Sequence, residues 1–421
     1  MLAVNPPVEE IRDQIAGISA GARLGDNIVA RLNAPGLYYS ASRLLENLDE
    51  LIAIQRHDPQ IAFAYAAKAC TLRPVMQMVA TTNLKVEVQS VHEMRQARRV
   101  GISGERFVWN SPRKKSGDME VALSEGATVI LDSPSEAEDV IEFAGGRSAT
   151  ISTQIGIRVM LSGDGYFSTG AGKLGMPIGD AVAVVRRLQV KGIAPGILHC
   201  HALARVEDLA VYKTFLNAVT NIVREVRGAT GHIFSTVDLG GGFNSRSALE
   251  SQNVKISDFV ELACHSLLQN NQLGIKYLCF EPGRYVVEDA AFALGTVVRR
   301  KVSNGRQWII VDVSTNLLVP IPLARFNVAG LNRSETMPTC IVDGTCSPSG
   351  VIVGNCAYPP VEEGALIVFR DCGAYSAALM EPFLEPPAPI YWIENDAIHE
   401  VVSSVSAGRA TDLFQGFAAP V

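Results

Sequence analysis

Short apolar runs alternate, over the first two thirds of the chain, with stretches in which apolar residues recur every three or four positions. The short runs are rich in valine, isoleucine and phenylalanine, which is typical of buried β-strands. We predict eight strands from them, at 61–66, 84–88, 106–109, 128–132, 154–159, 196–200, 234–239 and 275–280.

The intervening stretches have the spacing of amphipathic helices, and glycine follows several of them, as it does at helix C-termini. The clearest examples lie at 91–101, 134–145, 180–192 and 257–272. Alternation of strand and helix predicts an α/β fold with a parallel sheet. Eight such units within about 220 residues favour a closed (β/α)8 TIM-like barrel over an open sheet.

After residue 285 the pattern changes to short β-rich runs that are separated by turns, without long amphipathic helices. These runs lie at 292–302, 307–313, 339–344, 365–370 and 389–395. They predict a second, all-β domain, a sandwich or a barrel. We therefore expect the barrel at 36–284, and the β domain at 285–421 together with 1–35.

Composition narrows the class of protein. Hydrophobic residues make up 48% of the chain and charged ones 19%, which is typical of a globular protein. The net charge of -6 gives no reason to expect nucleic acid or an anionic membrane as a partner. The first residues include prolines and acids where a signal peptide needs a basic start and an apolar run. We expect a cytoplasmic protein.

Eight cysteines are scattered through the sequence without a CxxC pair, so we expect free thiols. Cys200 lies between His199 and His201, but no other cluster has the spacing of a tetrahedral metal site. We therefore predict no metal.

The candidate chemistry lies at the carboxyl ends of the predicted strands, where TIM barrels place their active sites. The residues found there are Lys68, Glu87, Asn110, Arg158, His199, Cys200, His201, Asp238, Gly240, Gly241, Gly242, Glu281 and Arg284. Each alone has a simpler explanation: a surface lysine, a core histidine, a tight turn or a surface ion pair. Their convergence on one rim indicates an active site.

Two of these features point to specific chemistry. Lys68 follows IAFAYAA, a run that looks buried, so we expect a desolvated amine with a lowered pKa, able to form a Schiff base. Gly240, Gly241 and Gly242 follow a strand, and backbone N–H groups in such a loop can close around a phosphate.

These motifs resemble, in order and along nearly the whole chain, the fold-type III pyridoxal-phosphate-dependent decarboxylases, the group that contains ornithine, arginine and diaminopimelate decarboxylases. The matching segments are YAAKA (65–69), VEVQSVHEM (86–94), KLG (173–175), HCH (199–201), DLGGGF (238–243), EPGR (281–284), VDGTCS (342–347) and GAYS (373–376).

The resemblance implies a role for each matched position. Lys68 would hold pyridoxal phosphate as an internal aldimine, His201 would stack on its ring, and Glu281 would face the ring nitrogen. Gly240, Gly241, Gly242, Arg284 and Tyr375 would bind the phosphate, and Arg158 and Glu87 would complete the cofactor site. Cys346 of a partner subunit would protonate the quinonoid, so the resemblance implies a homodimer with shared active sites.

Glu281 is the main reason to favour decarboxylation. Loss of CO2 leaves a carbanion, and the cofactor stabilises it best when its ring nitrogen is protonated. A carboxylate beside that nitrogen keeps the proton bound by charge attraction. Alanine racemases, which share the barrel, have an arginine there instead.

The substrate positions depart from the family pattern. Basic amino acid decarboxylases have an acid after the reactive cysteine, where this chain has Ser347, and diaminopimelate decarboxylases have an arginine where this chain has Val319. Gly350 replaces another acid of the same loop, and Arg325 is a candidate for binding a distal carboxylate. We expect a non-basic or derivatised amino acid as substrate, free or tethered to a carrier.

The CSPSG and FLEPPAPIYWI segments are similar to a natural-product and siderophore subgroup of these decarboxylases. Two other functions stay open at this point: a racemase or other enzyme that uses the same cofactor, and a non-catalytic pyridoxal-phosphate carrier. Glu281 and Cys346 favour the decarboxylase over the racemase. The additional β domain favours it over the carrier, which needs no proton donor.

Overall fold

A computed structural model describes residues 26–145, 151–161, 172–319, 326–329, 335–381 and 383–403. These residues form two compact units. The barrel unit is Leu48–Tyr285, and the sheet unit combines the described residues up to Asn47 with those from Val286 onward. Among the described residues, no helix has the length and apolar character needed to span a bilayer.

The strands are numbered in chain order: β1 Gly36–Ser40, β2 Ile61–Ala66, β3 Lys85–Val88, β4 Phe107–Asn110, β5 Thr128–Leu131, β6 Ile155–Arg158, β7 Ile197–His199, β8 Thr236–Asp238, β9 Tyr277–Phe280, β10 Ala291–Ser303, β11 Arg306–Val311, β12 Asn327–Val328, β13 Met337–Val342, β14 Val351–Tyr358, β15 Leu366–Arg370, β16 Ile390–Glu394 and β17 Ala397–Val402.

The α-helices of the described residues are Asp26–Val29, Ala41–His57, Arg73–Ala80, Val91–Arg98, Ser116–Ser124, Pro134–Ala144, Ile178–Val190, Leu209–Thr230, Arg246–Ser251, Ile256–Ala263, Arg284–Val287 and Ser376–Leu379. Helix starts follow the local sequence. Ser90 forms a capping box with Glu93, and the side chains of Ser133 and Asp208 accept hydrogen bonds from the first turns of their helices.

Strands β2 to β9 close into a barrel in which each strand pairs in parallel with the next and β9 pairs with β2. The predicted (β/α)8 barrel is confirmed, and every predicted strand bound lies within two residues of the observed one. Alternation of apolar strands with amphipathic helices was therefore sufficient to predict this unit.

The barrel interior is filled by small and branched side chains from several strands around the barrel. Ala64, Val108, Ile130, Ile197 and Cys279 form one buried cluster, and these side chains meet only inside a closed barrel. Gly156 lies against Ile130, where a β-carbon would overlap the isoleucine side chain. The interior is thus a packed core, and room for a ligand lies at the rim.

The sheet unit contains a mostly antiparallel sheet with the order β14-β13-β11-β10-β1-β16-β17, while β15 pairs with β10 and β12. The predicted all-β second domain is confirmed in fold class. The boundary at residue 36 was wrong for β1, which we had placed in the barrel domain. Strand β1 pairs with β10 and β16, and its Tyr38 ring stacks on Phe292 and Tyr391 in the core of this sheet.

Candidate active site

Lys68 lies in a short 3-10 helix, Ala67–Ala69, immediately after β2. The small residues around it let the chain approach Gly283: a β-carbon on Gly283 would lie 3.0 Å from the β-carbons of Ala66 and Ala69. The Ala66 N–H donates to the Pro282 carbonyl at 3.2 Å. The alanines of the YAAKA segment therefore fix the lysine against the loop that follows β9.

The amine of Lys68 is less buried than the sequence led us to expect. Its side chain is 37% exposed, and Nζ lies 2.9 Å from Oε2 of Glu87, whose side chain is fully buried. The other oxygen of Glu87 accepts from the Gln89 side-chain amide. Burial raises the pKa of Glu87 to about 7, while the charge of Lys68 lowers it. Lys68 is thus held by an acid and stays accessible to an incoming molecule.

The glycine loop after β8 packs directly on two other predicted site residues. A β-carbon on Gly240 would lie 2.6 Å from the His201 ring, and one on Gly241 would overlap the Glu281 carbonyl oxygen. Gly240 and Gly242 also have positive φ angles, which favour glycine. Among the described residues, no acceptor is found for the N–H groups of Gly241 and Gly242. The loop therefore presents donors that a phosphate could use.

Glu281 is a buried carboxyl at the end of β9. Its Oε2 lies 3.5 Å from Nε2 of His199, and its Oε1 is a buried atom without a hydrogen-bond partner among the described residues. Burial raises the pKa of Glu281, and the positive charges of Lys68 and Arg158 act in the opposite direction. A buried oxygen in this state can accept a hydrogen bond from a bound molecule.

His201 follows β7 beside the glycine loop. Burial, together with the charges of Lys68 and Arg158, holds the pKa of His201 well below its ordinary value. Its Nδ1 is buried and has no partner among the described residues. The ring is therefore neutral at pH 7 and available for packing against a ligand.

Arg158 belongs to a buried network that the sequence analysis missed. Its NH1 donates to Asn110 Oδ1 at 3.2 Å and lies 3.9 Å from the Asp132 carboxylate. Next to them, Lys114 pairs with Glu136 at 2.9 Å, and both side chains are buried. Asp132 follows β5 and could have been found by the strand-end rule used for the other strands. Lys114 could not, because it is one of three adjacent cations in PRKK.

The structure also brings together three potential metal ligands, His199, Asp238 and Glu281, whose ligand atoms lie within 4.8 Å of one another. The sequence analysis considered a different set around Cys200. Nε2 of His199, however, is already 2.9 Å from the Asn110 amide nitrogen. The absence of a resident metal stays a prediction.

Cys346 is exposed in the loop between β13 and β14 of the sheet unit. The loop is closed by Asp343, whose N–H donates to the Gly350 carbonyl and whose carboxylate accepts from Thr345 N and Oγ1. A β-carbon on Gly350 would overlap the Asp343 carboxylate. This contact gives a physical reason for Gly350, where the family pattern has an acid.

The other predicted residues of the sheet unit are Ser347, Tyr375 and Arg325. Ser347 Oγ lies 2.7 Å from the Ser349 hydroxyl. Tyr375 has a φ of 69°, which is unusual for a tyrosine, and the turn before it is held by the Tyr39 hydroxyl, which donates to the Gly373 carbonyl at 2.8 Å. Arg325 lies outside the described residues. The site roles of these residues stay predictions.

The barrel unit thus gathers one set of predicted residues at a single rim: Lys68, Glu87, Arg158, His201, Gly240, Gly241, Gly242, Glu281 and the buried Arg284. All of them lie at or just after the carboxyl ends of barrel strands, where such barrels place their active sites.

Comparison with known proteins assigns a family to both parts of the chain. Residues 46–288 match the family model "Pyridoxal-dependent decarboxylase, pyridoxal binding domain", and residues 211–373 match "Pyridoxal-dependent decarboxylase, C-terminal sheet domain". Similar curated proteins include the diaminopimelate decarboxylase of Bacillus subtilis, 26% identical over 80% of this chain and 81% of that protein. The Zymomonas mobilis diaminopimelate decarboxylase is 27% identical over 77% of this chain and 78% of that protein.

Solved structures have the same fold. The diaminopimelate decarboxylase of Helicobacter pylori, complexed with L-lysine, superposes with a TM-score of 0.76 at 21% identity, over 92% of this chain and 99% of that one. The arginine decarboxylase of Paramecium bursaria Chlorella virus has a TM-score of 0.72 at 17% identity, over 92% of this chain and 100% of that one.

The buried Asp238 predicts a specific pH dependence of stability. Burial, together with the negative charge of Glu281, raises the pKa of Asp238 from 3.8 to about 7. The folded protein therefore binds this proton more tightly than the unfolded chain does, and the resulting stability is lost as the pH rises towards 7. Asp238→Asn keeps an acceptor for the Gly240 N–H but cannot ionise.

We expect the free energy of unfolding of the cofactor-free wild type to fall by about 2–3 kcal/mol more than that of Asp238→Asn between pH 5 and pH 8. Urea denaturation at both pH values measures this. Asp49→Asn, a change at the exposed surface of helix Ala41–His57, is the control and should follow the wild type. Parallel curves for wild type and Asp238→Asn would contradict the buried, protonated acid.

Proposed function

The chain belongs to the pyridoxal-dependent decarboxylase family, and we propose that the rim of its barrel decarboxylates an amino acid whose side chain is non-basic or derivatised. Pyridoxal phosphate as cofactor and amino-acid decarboxylation as reaction follow from the family. The observation that carries the assignment of the site is the unsatisfied, buried Glu281 Oε1 on the same rim as an accessible lysine.

The residues of the rim fit the three recognition features of this cofactor. Lys68 offers an accessible amine for its aldehyde. The N–H groups of Gly241 and Gly242, with the Arg284 guanidinium, suit its phosphate. Glu281 offers a buried acceptor for a protonated ring nitrogen. The glycine and alanine contacts described above hold these groups in place.

Bound pyridoxal phosphate supplies an electron sink that accepts the electron pair left on the α-carbon when CO2 departs. Glu281 would hold a proton at the ring nitrogen and thereby strengthen that sink. His201, neutral and packed against Gly240, would lie on the face of the ring. Glu87 orients the Lys68 amine through the 2.9 Å contact.

The proton that replaces CO2 on the α-carbon comes from Cys346 of a partner subunit in this proposal. Two observations within the sheet unit support it: Cys346 is exposed, and its loop is fixed by Asp343 and Gly350. A thiol that is presented on a rigid loop can serve a site outside its own unit. Tyr375, in its strained turn, would add a hydroxyl contact to the cofactor phosphate.

The substrate proposal rests on the residue next to Cys346. Ser347 has a neutral hydroxyl that is hydrogen-bonded within its own loop, so it cannot pair with a distal ammonium group as a carboxylate would. Val319 offers no charge for a distal carboxylate. The curated relatives favour a second candidate, diaminopimelate, because several of them are named diaminopimelate decarboxylases.

We also propose a specialised biosynthetic pathway and a substrate that is free or carrier-tethered, supported by the resemblance of the CSPSG and FLEPPAPIYWI segments. Arg325 is the candidate for binding a distal carboxylate. We propose the cytoplasm as the compartment, and the eight free cysteines support a reducing environment.

A panel of amino acids tests the reaction and the substrate together. We expect CO2 release without net α-proton exchange of unreacted substrate, fastest for non-basic or side-chain-acylated amino acids and slower for ornithine, arginine and diaminopimelate. Lys68→Ala should reduce turnover to background because it removes the amine that holds the cofactor. Fastest turnover of diaminopimelate would overturn the substrate proposal, and racemisation without CO2 release would overturn the reaction.

Mixing two inactive variants tests the shared site. Chains with Lys68→Ala retain Cys346, and chains with Cys346→Ala retain Lys68, so one intact site forms in each mixed dimer. After subunit exchange at equal concentrations we expect about one quarter of wild-type activity, from the statistics of a twofold dimer. Each variant alone, treated identically, is the control. Verified exchange without recovered activity would place the proton donor within one subunit.

A further inference from the structure

A buried row of four side chains connects different strands of the barrel unit. Arg158 NH1 donates to Asn110 Oδ1 at 3.2 Å, Asn110 Nδ2 lies 2.9 Å from His199 Nε2, and His199 Nε2 lies 3.5 Å from Glu281 Oε2. All four residues are buried. The mechanism above uses only the last of them for a chemical role.

The hydrogen-bonding capacities of these groups fix the orientation of the Asn110 amide. A guanidinium can only donate, so the atom that faces Arg158 must be the amide oxygen. The atom that faces His199 is then the amide nitrogen, which can only donate. Nε2 of His199 must therefore accept, and the neutral imidazole carries its proton on Nδ1. Nδ1 is buried and has no partner among the described residues, but the other tautomer would set two donors, Nε2–H and the Asn110 amide, against each other at 2.9 Å.

The surroundings of His199 agree with a neutral ring. Burial lowers the pKa of His199 to about 3, and the positive charges of Arg158 and Lys68 act in the same direction. The carboxylates of Asp238 and Asp132 favour the charged ring instead. A charged ring, however, would carry a proton on Nε2 that faces the N–H donor of the Asn110 amide.

This tautomer has a consequence for Glu281. With a lone pair on Nε2, His199 donates no proton to Oε2 of Glu281 and forms no ion pair with it. Burial raises the pKa of Glu281 and hydrogen bonding from the side chains of Asn110 and Asp238 lowers it, while its Oε1 is buried without a partner among the described residues. If Nε2 carried a proton, it would become the hydrogen-bond donor to Glu281 and would compete with the ring nitrogen of the cofactor.

We propose that Asn110 is a positioning residue: anchored by Arg158, it holds His199 in the tautomer with its proton on Nδ1 and thereby reserves Glu281 for the ring nitrogen of the cofactor. The proposal rests on the proposed role of Glu281. It adds a residue to which the mechanism above gives no role and which sets where one proton resides.

The first test reads the His199 tautomer by 15N NMR of holoenzyme labelled at its seven histidines. The His199 signals are those lost in His199→Gln. We expect a protonated Nδ1 and an unprotonated Nε2 in the wild type at pH 7. A protonated Nε2 in the wild type overturns the proposal without any need for a variant at Asn110.

The second test uses Asn110→Asp, which keeps an acceptor for Arg158 but places a carboxylate oxygen opposite Nε2. We expect the proton of His199 to move to Nε2, and the 15N signal of labelled pyridoxal phosphate to shift towards the unprotonated ring nitrogen. Asn253→Asp is the matched control, because it adds the same charge at an exposed turn of the barrel unit. It should move neither signal.

The two possible failures are distinguishable. If Asn110→Asp leaves both the His199 and the ring-nitrogen signals unchanged, the positioning role is overturned while the proposed function stands. If the protein binds no pyridoxal phosphate, the proposed function and the role towards the cofactor fail together. In that case, 15N NMR of the cofactor-free protein still tests whether His199 carries its proton on Nδ1.

Discussion

Three buried carboxyl groups at one rim of the barrel set the chemistry of this protein. Burial raises the pKa values of Glu87, Asp238 and Glu281. The positive charges of Lys68 and Arg158 act in the opposite direction on the pKa of Glu281. Buried acids are costly unless opposite charges or donors meet them. In the proposed site, a cofactor with a protonated ring nitrogen would supply such a charge at Glu281, so that the same buried acid would both bind and activate the cofactor.

Much of the fold could be predicted because the barrel depends on local patterns. Consecutive strands of the barrel pair with each other, and only the closure between β2 and β9 is distant in sequence, so apolar runs and helical spacing locate the strands. The sheet unit was harder: β1 pairs with β10 and β16, which lie far away in the chain, and nothing local in GLYYS tells which sheet it joins. Strand β14 was missed because VIVGNCAY is interrupted by glycine and asparagine and is largely exposed.

The site divides in the same way. The topology alone places Lys68, Glu87, Arg158, His201 and Glu281 at the strand ends. The topology does not tell which of these side chains are in contact, because that depends on the conformation of each side chain. Asn110 on β4 and His199 on β7 meet although their strands are not neighbours, and the burial of Lys114 cannot be told from its sequence among other cations. The exposure of Lys68 was also misjudged, because the buried strand before it ends two residues earlier.

The most direct test of the account is to locate the covalent bond on which it depends. The protein is incubated with pyridoxal phosphate, reduced with borohydride and digested, and the phosphopyridoxyl group is mapped by mass spectrometry. The account predicts one modified residue, Lys68, within the segment YAAKA. Protein that takes up no label, or that carries it on a different lysine while Lys68 stays unmodified, would contradict the central claim.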